Sequence, residues 1–163
     1  MSVFGTFLEE SYDGFIHEKM FGSNKDKKSF ANAFDGNKDK KIFQNVFAII
    51  SEFLPEGWDR MVFFAGYTEG SYSMKFYSKA GKDKYVDCFS FPGVSKASLL
   101  KAFRKIDANL SKNRKELGKN NAWTIFTMVV DKNGKMKIDF DYDDHSEDMI
   151  AYEKEWAEKY LGE

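Results

Sequence analysis

The chain has one cysteine, Cys88, among its 163 residues. No disulfide can form within it, and a reducing compartment is the expected setting. It has two histidines, His17 and His145, and they share no motif. It contains no run of roughly 18 apolar residues, so no membrane-spanning helix is expected. The opening "MSVFGTFLEESYDGF" lacks a basic stretch ahead of an apolar core, so no secretory leader is expected there. Phosphate-binding glycine loops, a dinucleotide fingerprint, paired C-x-x-C and H-E-x-x-H are all missing. The formal net charge is only -1, which gives no global attraction to nucleic acid or to an anionic membrane.

What the chain has in quantity is aromatic side chains. They make up 17% of it, and phenylalanine alone occurs 17 times. A disordered chain carries few such residues, so a folded single domain spanning residues 1–163 is expected.

Apolar periodicity sets the expected elements. Phe4, Phe7, Leu8, Phe15 and Ile16 predict a helix between Ser2 and Phe21. A lysine-rich bridge follows, with the string Asn-Lys-Asp-Lys-Lys starting at Asn24 and again at Asn37. Two copies of a short polar string read as solvated loop and helix starts, since a solenoid needs several packed units. Residues 1–38 are thus an N-terminal helical extension and bridge, ahead of a core over 39–162. A broad apolar face on Ile42, Val46, Ile49 and Phe53 predicts a helix from Asp39 to Leu54, stopped by Pro55.

The period then changes to two. "RMVFFAGYT", "SYSMKFYSK" and "KYVDCFSF" predict a three-stranded antiparallel meander with a tight turn at Glu69-Gly70. Met61 to Phe64 is apolar on both faces, as in a central strand covered by helices. Ser95 is placed to cap a helix that Gly118 ends, with Leu99, Phe103, Ile106 and Leu110 as its buried stripe. Trp123 to Val130 and Lys135 to Tyr142 predict a hairpin across Asn133-Gly134, read as a type I′ turn. Ser146 is the expected cap of a last helix, which packs through Met149, Tyr152, Trp156 and Tyr160. The expected class is α+β: about five largely antiparallel strands packed by helices.

Six acids crowd one stretch: Asp139, Asp141, Asp143, Asp144, Glu147 and Asp148. As a calcium loop the stretch fails, because counting from Asp139 puts Asp144 where glycine belongs and Ile150 where glutamate belongs. "DGNKDKKIFQNV", starting at Asp35, fails at the same two positions. Read as a strand, Met136, Ile138, Phe140 and Tyr142 point one way, and Lys137, Asp139, Asp141 and Asp143 the other. The acids then form the solvent side of a half-buried strand. Alternation alone does not account for an outer row so nearly all acidic, since neighbouring like charges repel. A positively charged partner accounts for it. The alternatives are a small metal-dependent hydrolase using the Asp139–Asp144 carboxylates and a regulatory scaffold that binds its own folded partner. Cys88 lies in an expected strand and reads as a buried small apolar residue. The basic helix after Ser95 reads as a charged solvent face, because its aromatics fall at core spacing. No catalytic residue, metal ligand or cofactor is assigned, and neither nucleic acid nor membrane is an expected partner.

The C-terminal half also carries a family pattern. It comprises Trp123 at the head of a strand, the Asn133-Gly134 turn, Phe140-Asp141-Tyr142-Asp143 at a strand end, and Trp156 followed by Tyr160-Leu161-Gly162. Upstream, "FLPEGWDRMVFFAGY" supplies a helix end, a Pro-x-x-Trp element and a first strand. In order and spacing these resemble the YezG-type immunity proteins of bacterial toxin systems, over roughly Lys40 to Gly162. The resemblance implies a cytoplasmic, non-enzymatic inhibitor that binds a cognate toxin. Such toxins are commonly nuclease-type effectors, many of them exported by type VII secretion. It does not say which surface binds. Asp139, Asp141, Asp143, Asp144 and Glu147 are the expected docking residues. The first forty residues depart from the pattern, because members begin near the helix that starts here about Asp39.

Overall fold

The computed structural model describes residues 36–162. The helix expected between Ser2 and Phe21, the first lysine-rich string, His17 and Asp35 lie outside them. Chain order gives helix α1 (Gly36–Ser51), strands β1 (Arg60–Thr68), β2 (Ser71–Lys79) and β3 (Val86–Asp87), and a single 3-10 turn (Cys88–Ser90). Helix α2 (Lys96–Leu117), strands β4 (Ile125–Asp131) and β5 (Met136–Asp141), and helix α3 (Met149–Leu161) complete it. The five strands form one antiparallel sheet in the order β3-β2-β1-β4-β5. The α+β expectation holds.

The sheet is covered on both faces, and β1 shows why. Its residues from Met61 to Tyr67 are buried without interruption. Met61, Phe63 and Ala65 face α1 and α2, where Phe43, Phe47, Leu99, Ile106 and Leu110 complete the main core. Val62 and Phe64 face the other way and join Ile125, Val129 and Trp156 beneath α3. Among the described residues, two helices thus roof one face and a single helix roofs the other.

Helix α2 has the expected ends. The Ser95 hydroxyl accepts from the Ser98 N–H at 3.1 Å. Gly118 follows the last turn at φ 83°, where a side chain would strain the backbone.

Four local expectations are corrected. First, α1 begins at Gly36 and ends at Ser51, not Leu54. The chain curls beyond it, with the Phe53 N–H donating to the Ile50 carbonyl at 3.0 Å. Second, β3 is two residues long, not eight. The Asp87 carboxylate accepts from the Phe89 N–H at 2.8 Å and starts the 3-10 turn, which carries Cys88 inward. Third, the β4–β5 turn is not type I′. Among the described residues none other than glycine has positive φ, and in this turn Gly134 alone carries it, at 87°. The Gly134 N–H donates to the Asp131 carbonyl, and Asp131 Oδ1 accepts from the Asn133 and Lys135 N–H groups at 2.9 and 3.1 Å. This is the longer loop with one left-handed glycine, locked by an aspartate two residues ahead of the asparagine. Fourth, Ser146 does not cap α3. Asp148 sits at the cap position with no side-chain capping bond, and the Ser146 hydroxyl donates to Asp144 at 2.7 Å instead.

Candidate functional site: the acidic face between β5 and α3

Strand β5 separates its side chains as expected. Met136 and Ile138 enter the main core, and Lys137, Asp139 and Asp141 take the opposite face. That face is not simply wet, because α3 lies against it. The Asp139 side chain is 20% exposed and that of Asp141 28%. The expected solvent row therefore divides in two: Asp139 and Asp141 are half-buried, whereas Asp143, Asp144 and Glu147 are exposed in the exit loop.

The half-buried acids are held by the last helix and its approach. The Tyr160 hydroxyl donates to Asp139 Oδ2 at 2.7 Å, and Lys137 Nζ lies 3.8 Å from the same oxygen. Asp141 Oδ2 lies 3.2 Å from His145 Nε2, and Asp141 Oδ1 accepts from the Asp143 N–H at 2.8 Å. His145 Nδ1 is 3.3 Å from Asp148, and the His145 ring stacks 4.0 Å from that of Tyr152. Burial, followed by the neighbouring aspartates, pushes the Tyr152 and Tyr160 hydroxyls above the ordinary tyrosine range. Both remain neutral donors at physiological pH. The hydroxyl and N–H of Ser146 hold the Asp144 carboxyl below its ordinary value.

Between β5 and α3 lies a cleft of about 380 Å³. Asp139, Asp141 and Glu155 bring carboxylates to it, Tyr152, Trp156 and Tyr160 bring rings, and Lys137 and Lys159 also line it. Their helical spacing predicts a packing stripe for the three rings. Spacing gives a stripe's face but not the reach of a hydroxyl at its margin, so the tyrosine contacts to the acids went unseen. Residues 137–162 carry nine acids against three lysines. Helix α2, on the far face, carries seven Lys and Arg against two acids. A nearly neutral total hides two regions of opposed sign among the described residues.

Asp141, Asp143 and His145 bring one possible metal-ligand atom each within 4.8 Å of one another. The His145 nitrogens already lie beside Asp141 and Asp148, and Asp141 Oδ1 already accepts a backbone N–H. Cys88 is buried, which pushes its thiol up to about 12, far from a reactive thiolate at neutral pH. No helix among the described residues is long and apolar enough to cross a membrane.

The residues that carry the family pattern pack on both faces of the sheet, with the Trp123 and Phe140 rings 6.0 Å apart on one of them. Trp123 is buried where β4 begins, Phe140 packs on the main core, and Trp156 anchors α3 to the opposite face. The profile of the immunity protein YezG-like family matches residues 40–163, and the chain belongs to that family. It is also 28% identical, over 126 residues, to "Immunity protein YezG" of Bacillus spizizenii, covering 69% of this chain and 76% of that relative.

Proposed function

We propose that this chain neutralises a cognate toxin of the nuclease type by direct stoichiometric binding, without a catalytic step, in the cytoplasm of the cell that makes the toxin. The family supports the immunity role, and the resemblance to YezG-type proteins supports a type VII-exported effector as the target. The observation that carries the choice of surface is the charge of residues 137–162, nine acids against three lysines, folded onto one side of the sheet. The docking face is then Asp139, Asp141, Asp143, Asp144 and Glu147. A nuclease must present a basic surface to phosphate. An acidic face opposite it accelerates encounter by long-range attraction and covers the groove that substrate would enter.

The test uses the two exposed positions that reversal disturbs least, Asp143→Lys and Glu147→Lys together. Toxin affinity is expected to fall about 100-fold, mostly through slower association and with a weaker dependence on salt. The melting temperature should stay near that of the parent. Unchanged affinity in the folded variant would rule out this face. The cluster of Asp141, Asp143 and His145 keeps one rival alive, a metal-dependent hydrolase. That rival requires the melting temperature to rise with magnesium, manganese or calcium, since a ligand of the native state stabilises it. The inhibitor reading expects no rise.

A further inference from the structure

We propose that the cleft between β5 and α3 is a receptor for one arginine side chain of the toxin, held against Asp139, Asp141 and Glu155 and flanked by Tyr152, Trp156 and Tyr160. The inference rests on the reading above that a toxin docks on this side of the molecule.

The cleft is a built pocket rather than a patch of acids. It has volume, about 380 Å³, and three aromatic rings among its lining. The Trp156 ring lies 5.3 Å from that of Tyr160, at an interplanar angle of 37°. Thr127 also lines it, its hydroxyl accepting from Trp156 Nε1 at 2.9 Å.

The chain's own cations show which charge the place attracts. Lys159 Nζ lies over the Tyr160 ring, 5.1 Å from its centre. Lys137 Nζ reaches Asp139 Oδ2 at 3.8 Å. Two ammonium groups are thus drawn to the two kinds of surface the cleft offers, a ring face and a carboxylate. Both belong to long side chains, and Lys159 is exposed, so a better-fitting cation can displace it. A guanidinium fits both surfaces at once. It is planar, so it lies flat on an aromatic ring, and its fork of N–H donors meets a carboxylate through two parallel bonds. It also loses less hydration than an ammonium when enclosed. An anion would meet three carboxylates against two ammonium groups.

The probe is Nα-acetyl-arginine amide, titrated into the full chain while the Trp156 indole N–H is followed by NMR. Nα-acetyl-lysine amide and the neutral isostere Nα-acetyl-citrulline amide serve as controls. A saturable shift is expected with the arginine compound, a weaker one with the lysine compound and none with citrulline. Glu155→Gln should weaken the arginine response about two- to fivefold, and Lys159→Gln should strengthen it by a similar factor, the range expected for single partly exposed charges. No saturable shift with the arginine compound overturns the proposal. So does an equal response to citrulline or lysine, or a reversed order of the two variants. Toxin binding to the parent chain is measured in parallel. Retained toxin binding with a silent cleft removes only the arginine assignment. A responsive cleft in a chain that binds no toxin removes the toxin reading and leaves a cation site.

Discussion

Trp156→Ala is expected to destabilise the fold by about 4 kcal/mol, the middle of the range for emptying a buried aromatic site. For a chain of this size that lowers the melting temperature by roughly 8–16 °C. Trp156 is the one buried residue of α3. Its ring meets Phe64 edge-on at 5.0 Å and lies 5.9 Å from Tyr77 on β2. Its N–H satisfies the hydroxyl of Thr127, which is 2% exposed. The alanine variant leaves a cavity and removes that bond together. Trp156→Phe separates the two effects, because it keeps most of the ring and loses the N–H, at an expected cost of about 1–2 kcal/mol. Thermal and urea unfolding of both variants check the pair. A loss under about 1 kcal/mol for alanine would mean that α3 is held by something else. Toxin affinity should fall with the alanine variant too, since α3 forms one wall of the cleft.

The second large effect is expected at Asn113, which is 1% exposed near the end of α2. Its side-chain oxygen accepts from Trp123 Nε1 at 2.9 Å, and its amide nitrogen donates to Asp39, itself 3% exposed. One amide therefore ties α1 and α2 to the residue that leads into β4. Asn113→Ala takes a donor from a buried carboxylate and an acceptor from a buried indole, for an expected loss of about 3–5 kcal/mol. Asn113→Leu fills the space and should recover little, because the missing element is polar. A leucine variant as stable as the parent in urea unfolding would show that the bridge contributes nothing net.

These two sites mark what the sequence could and could not reveal. Elements whose cause is local were legible. Ser95 and Gly118 frame α2 because cap chemistry acts within one turn, and the unbroken apolar run of β1 announces a strand roofed on both sides. Trp156 was legible as packing. Asp39 was legible only as a helix start, for its partner is 74 residues away and no spacing rule reaches that far. The third strand failed because one carboxylate, Asp87, captured a backbone N–H that a longer strand needs free. The turn failed similarly: Asn-Gly fits type I′, but Asp131 offers a side-chain acceptor that favours another loop. For the acidic row, alternation correctly placed Asp139 and Asp141 opposite the main core. It could not say that a helix arriving eight residues after the strand would cover them with tyrosines.

Among the described residues the five-stranded sheet has two borders, and each could recruit a second copy of the chain by strand pairing. One border is β3, two residues long and bent away by its own aspartate. The other is β5, where charged residues alternate along one side. Two β5 strands paired in parallel register would set Asp139 against Asp139 and Asp141 against Asp141, which is unfavourable. The row proposed to draw in a basic toxin thus also guards against self-aggregation, and substitutions that neutralise it should be watched for clumping as well as for lost protection.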